Sequence, residues 1–261
     1  MRIQLPVVVL LLFLAAGIAC RQAGPPLVVD AGAAACITGD TVALAGVDLD
    51  RLRASPFVNG LGGSARDFLA QYAKASRLLA GWNAHDLILV ARGTFSTPPA
   101  GARVVEPGLA VTGAPSRVLF ALAQHQSGRS GALDLIEYGS QIGAQSAIWL
   151  AVRGGKPLPL SGNVANLNHL LENADFAGAA LELGGTATLR FGARARTAES
   201  AAQLEERLRG FLSLAGEAEI HRPELAQLLS SARIEHSGSA VSATLIASPD
   251  ALAKLLTDFA R

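Results

Sequence analysis

The chain has 261 residues, half of them apolar, 16% charged and 5% aromatic, with a formal net charge of +1. Near-neutrality excludes broad electrostatic attraction to nucleic acid, and no nucleic-acid partner is expected. Two cysteines, Cys20 and Cys36, exclude a disulfide framework, so the fold must rest on an apolar core of Ala, Leu and Val.

The N-terminus carries an address. Arg2 is followed by an apolar run from Pro6 to Ala19 that ends in small residues before Cys20. That run is short for a membrane span and has the grammar of an export signal over residues 1–19. A cysteine directly after the small residues is where bacterial lipoproteins are cut and lipidated, so Cys20 is the candidate lipidation residue and the membrane the expected partner through its lipid. Gly17 stands where the lipoprotein pattern prefers Leu, and Gly17 with Ala19 also suits ordinary signal peptidase. A soluble secreted product and an uncleaved anchor therefore stay open beside the lipoprotein. Arg21, in place of the Asp of lipoproteins retained at the inner membrane, implies by resemblance a periplasm-facing or outer-membrane destination.

Residues 20–39 follow as a tether, its start rich in breakers at Gly24-Pro25-Pro26. Within Ala33-Ala34-Ala35-Cys36 the thiol is expected to behave as a small buried hydrophobe, and a Cys20–Cys36 bridge stays open where Cys20 is not lipidated. Val, Ala and Leu from Thr41 to Val47 predict a strand, and Asp48-Leu49-Asp50 leads into a short helical turn. Gly60 to Gly63 loops into a helix near Ala65–Ala75. Arg77–Trp82 and Leu87–Arg92 flank Asn83-Ala84-His85-Asp86 as a hairpin. Strands at Arg103–Glu106 and Gly108–Thr112 precede a helix opened by Pro115, and Gln126 to Gly131 reads as a linker or loop.

From Ala147 the order starts again. A strand through Trp149 and Val152 leads to a helix through Val164, Leu167, Leu170 and Leu171. A hairpin then turns on Gly184-Gly185, and a long helix capped by Thr197 stops at Gly216. A short helix at Glu224–Leu229, a hairpin turning at Ser237-Gly238 and a last helix begun by Ser248-Pro249 complete the chain. Two related α+β modules, 40–140 and 141–261, are expected, each an antiparallel sheet with helices on one face in the ferredoxin-like manner.

Reactive constellations are sparse. Asp48 and Asp50 could share one face of a strand as a cation or acid–base pair, but as a cap and first-turn acid before Arg51 and Arg53 they suit a helix start better. His85, His125, His169, His221 and His236 lack zinc spacing, and His169 is the first to test. Gly139-Ser140-Gln141-Ile142-Gly143 has its serine one place early for a nucleophile elbow, and Gly60-Leu61-Gly62-Gly63 lacks the Lys-Ser/Thr of a phosphate loop. Arg190, Arg194 and Arg196 form a basic stripe without aromatic platforms. No catalytic, cofactor-binding or metal-binding residue and no cofactor is expected, and enzyme activity is disfavoured.

Thr41 to Pro56 and Ser248 to Leu252 resemble segments of uncharacterised bacterial envelope proteins. That resemblance implies an exported or lipid-anchored chain of repeated α+β modules and transfers no catalytic residues. The expectation is a lipid-anchored cell-envelope protein that binds or scaffolds, with an envelope protein as a further partner. An exported hydrolase assembled from distant residues and a carrier of apolar ligands are the alternatives.

Overall fold

Among the described residues ten strands form one sheet in which every pairing is antiparallel. The computed structural model describes residues 29–60, 63–94, 97–99, 101–156, 168, 171–218, 223–248 and 251. In chain order the elements are α1 (Ala31–Ala35), β1 (Ala43–Asp48), α2 (Leu49–Ala54), a 3-10 turn (Pro56–Gly60), α3 (Gly63–Gln71), β2 (Ala75–Trp82) and β3 (Leu87–Gly93). Then come β4 (Arg103–Glu106), β5 (Leu109–Gly113), α4 (Pro115–Gln126), α5 (Leu133–Gly143), β6 (Ile148–Arg153), β7 (Ala174–Leu183) and β8 (Ala187–Ala195). The last are α6 (Ala198–Ala218), α7 (Pro223–Ser230), β9 (Arg233–Ser237) and β10 (Ala240–Ala247).

The sheet is seamed at β1 and β6, which run antiparallel from Ala43 opposite Val152 to Val47 opposite Ile148. Outward from that seam the strands read β1, β2, β3, β5, β4 on one side and β6, β7, β8, β10, β9 on the other.

Alternation along the strands divides the apolar residues between two faces. Adjacent Leu78 and Leu79 thus enter different cores. Leu79, with Leu44, Ile88, Val90, Leu109 and Val111, packs under α1, α4 and α5. Leu78 joins Leu49 and Leu52 of α2, Phe57, Tyr72 and Leu229 of α7 on the opposite face. Farther along that face, Ala43, Val152, Ala177 and Val241 meet Ala201, Leu204 and Leu208 of α6.

The α+β class with antiparallel strands and packed helices agrees with the patterning, and the helices divide between the two faces. The ferredoxin-like comparison does not extend to connectivity. A split βαβ unit places a third strand between the two strands that flank its helix, whereas β1 and β2, joined through α2 and α3, are direct neighbours from Ala43 opposite Trp82 to Asp48 opposite Arg77. The helical excursion returns to the end of the sheet it left, so the chain direction reverses and no strand fits between.

Three local readings also change. Residues 29–37 belong to the folded body and not to a tether: Asp30 caps α1 by accepting from the Ala33 N–H at 3.0 Å, and Val29, Ala33, Ala34, Cys36 and Ile37 are buried. Helix α5 arises where sequence pattern gives no helix, because Gly139 and Gly143 lower its intrinsic propensity while Leu135 and Ile136 bury completely against the sheet. Helix α6 runs past Gly216 to Ala218. The helix expected through Val164 to Leu170, and that after Pro249, lie outside the described residues apart from Asn168, Leu171 and Ala251.

Candidate functional site

At the end of the sheet where β1 stops, the register lines up a row of charges. Asp48 on β1 stands opposite Arg77 on β2, and Arg77 stands opposite Arg92 on β3. Two arginines directly across a ladder repel, and a local rule broken in this way marks positions kept for something other than sheet stability. The surroundings supply the counter-charge. Arg92 Nη2 donates to Asp30 Oδ1 at 2.6 Å and to Glu106 Oε1 at 2.9 Å, and His125 Nε2 lies 3.5 Å from Glu106 Oε2. Burial raises the Asp30 carboxyl's pKa, but hydrogen bonds from Arg92 and Ala33 outweigh it and hold the group below the usual carboxylate range.

Asp30, Asp48, Asp50, Arg51, Ser76, Arg77 and Arg92 together line an open cleft of about 510 Å³. Its acidic and basic members are equal in number, so it suits a ligand carrying both signs better than a simple anion. Asp30, Asp48, Arg77 and Arg92 also line a small cavity of about 30 Å³ beneath α1, large enough for one or two waters. Its walls include Val29, Ala33, Leu79, Val90, Trp149 and Ser146. Ser146 is 2% exposed, and its Oγ has no hydrogen-bond partner among the described residues.

Trp149 owes its place to glycine. A Cβ on Gly46 of β1 would come within 2.3 Å of the indole, one on Gly139 of α5 within 2.3 Å and one on Gly143 within 2.6 Å. Three missing side chains therefore let helix and strand close on a large ring at the cavity wall.

The residues singled out from sequence fall into this frame unevenly. Cys20 lies outside the described residues. Asp48 caps α2, with Oδ1 accepting from the Arg51 N–H at 3.0 Å, while Asp50 pairs with Arg53 at 3.4 Å. The two acids thus do not form a matched pair, although both border the cleft. Arg53 donates to the Tyr72 and Ala75 carbonyls at 2.7 and 2.8 Å, tying α2 to the start of β2. His85 sits in the β2–β3 turn, where Asn83 Oδ1 accepts from the His85 and Asp86 N–H groups. His236 of β9 contacts Glu205 of α6, and His169 and His221 lie outside the described residues. Cys36 is fully buried, its thiol pushed up to about 12 mainly by burial. Ser140 is buried within α5, where no strand-to-helix elbow exists. Leu61 and Gly62 of the glycine loop are outside the described residues, and Gly63 opens α3. Arg190 pairs with Glu182 at 2.7 Å, Arg194 lies over the Tyr138 ring at 5.9 Å, and Arg196 is 3.7 Å from Asp175. Phe191 points to the opposite face, against the α6 core.

Sequence reasoning missed Asp30, Arg77, Arg92 and Ser146. One signal was present: a hairpin turning on Asn83–Asp86 pairs Arg77 with Arg92. Among the described residues no group of three His, Cys, Asp or Glu is arranged to hold a metal ion. No described helix is long and apolar enough to cross a membrane.

No family model and no curated protein matches the chain. Its fold is similar to that of TP0453. Crystal form III of that protein superposes with a TM-score of 0.54 at 10% identity, covering 86% of this chain and 97% of that one. Crystal form I gives 0.53, also at 10% identity, with 91% and 99% covered. At that identity the likeness extends to the α+β fold alone.

Proposed function

We propose that this chain is an exported cell-envelope protein, lipid-anchored at Cys20, that binds a ligand or envelope partner at the charged cleft without transforming it. One feature supports the reading: the cleft lies only a short stretch of chain from Cys20. Asp30, which lines it, is ten residues beyond Cys20, so even a fully extended connection keeps the cleft within about 35 Å of a lipid on that cysteine. The charges around the cleft support binding over chemistry, since Arg92 is held by Asp30 and Glu106 and Asp48 is engaged as a helix cap. The cavity beneath α1 is far smaller than the several hundred Å³ that an apolar carrier needs.

An outer-membrane, periplasm-facing destination follows from Arg21 in the same reading. The matching strand order on either side of the β1–β6 seam supports a duplicated module, with units at 40–140 and 141–261. Expression of the full chain beside Cys20→Ser in the bacterial host tests the anchor. Wild type should partition with membranes and carry acyl mass, and the variant should lose both. Equal membrane attachment and unmodified mass in the two proteins would overturn it.

A further inference from the structure

Three features converge on one ligand chemistry at the cleft, and this inference rests on the cleft being a binding site. The mouth offers carboxylates and guanidinium groups side by side, Asp48 and Asp50 with Arg51 and Arg77. The cavity below is small and largely apolar, walled by Val29, Val90 and Trp149. At that cavity stands Ser146, buried to 2% exposure, with a hydroxyl that no group among the described residues satisfies. A buried hydroxyl left without a partner carries a desolvation cost, which a polar atom of a bound molecule or a trapped water would offset.

We infer that the cleft takes a small zwitterion, with an ammonium and an acid group a few bonds apart, whose short substituent enters the cavity beside Trp149 and hydrogen-bonds to Ser146. The acid group lies toward Arg77 and Arg51, which donate in the bidentate manner that suits carboxylate and phosphate oxygens. The ammonium lies toward the Asp48 and Asp50 carboxylates, sharing them with the contacts they already make, Asp48 to Arg51 at 3.6 Å and Asp50 to Arg53 at 3.4 Å. A cavity of about 30 Å³ accepts a methyl or hydroxymethyl group and rejects a branched or aromatic one. This chemistry has two sources, a free small amino acid such as serine and the headgroup of an aminophospholipid.

The test is isothermal titration of the full chain, purified in detergent from membranes, with L-serine, L-alanine, L-leucine and O-phosphoethanolamine. Competition by vesicles containing phosphatidylserine follows. Binding of L-serine about fivefold tighter than L-alanine, with L-leucine excluded, is expected, one neutral hydrogen bond accounting for that ratio. Arg77→Gln should weaken binding at least tenfold. Ser146→Ala should retain binding but bring serine and alanine to parity, a readout that a purely structural role would not move. Competition by vesicles would assign the ligand to a lipid headgroup, and its absence with L-serine bound would assign it to the free amino acid.

Failure of wild type to bind any of the four compounds overturns the zwitterion assignment, as does binding indifferent to both substitutions. The broader reading fails separately, when native mass spectrometry of the membrane-derived protein shows no bound molecule or partner that Arg77→Gln removes.

Discussion

Replacing Gly46 by alanine tests how tightly the wall of the cavity is built. The new Cβ would stand 2.3 Å from Cε2 and Nε1 of Trp149, more than an ångström inside ordinary contact. The indole, 2% exposed, is confined by Gly139 and Gly143 on its other sides and so cannot step back. Overpacking of this kind costs about 1–3 kcal/mol, and the confinement places Gly46→Ala at about 3. Gly139→Ala meets the same ring at 2.3 Å. In a helix, however, alanine recovers about 1 kcal/mol of propensity, so about 2 is expected there. In a Trp149→Leu background the clash disappears. Gly46→Ala should then be nearly neutral, giving a coupling of about 2 kcal/mol or more between the two sites. Urea denaturation followed by far-UV circular dichroism reads all four proteins of this cycle without relying on tryptophan fluorescence. Additive effects, or a Gly46→Ala protein as stable as wild type, would refute the packing argument.

Other consequences follow from burial and charge. Cys36 should resist thiol reagents in the native protein at pH 8 and react fully in 6 M guanidinium, because burial holds its thiol near 12; rapid native labelling would contradict its buried place at the C-terminal end of α1. Asp30, Asp40 and Asp134 are held below their ordinary values, with Arg92, Arg117 and Arg153 hydrogen-bonded to them. Folded-state depression of a carboxylate contributes stability above the unfolded pKa and loses it as pH falls through the folded one. Stability should therefore drop from about pH 5 down to about 2, the value reached by Asp40. Because Asp40 is 55% exposed, its own share after solvent screening is under about 1 kcal/mol. Asp40→Asn and Asp30→Asn should each flatten the acid limb slightly, as measured by thermal melts between pH 2 and 7. An acid limb unchanged in both variants would count against these ion pairs.

Much of the architecture is legible from local pattern because local chemistry determines it. The β2–β3 hairpin follows from Asn83, whose side chain closes the turn, and the start of α2 follows from Asp48 as its cap. Helix α5 escapes pattern reading because its glycines serve Trp149 and not the helix, a tertiary demand overriding propensity. Residues 29–37 escape because a run of alanines reads as featureless until the sheet beneath α1 buries it. The site depends on distance in sequence: Asp30, the cap of α1, and Ser146, just before β6, line one cavity through tertiary packing, which no single segment carries. Within single segments, the like-charge pairing of Arg77 and Arg92 across the hairpin and the closely spaced Asp48 and Asp50 pointed to it.

Native mass spectrometry of the protein, released gently from its own membranes, probes anchor and cleft together. The account predicts a chain beginning at an acylated Cys20 and carrying a bound molecule or partner that Arg77→Gln abolishes. A chain that retains Met1, has no acyl mass and carries nothing that Arg77→Gln alters would contradict it.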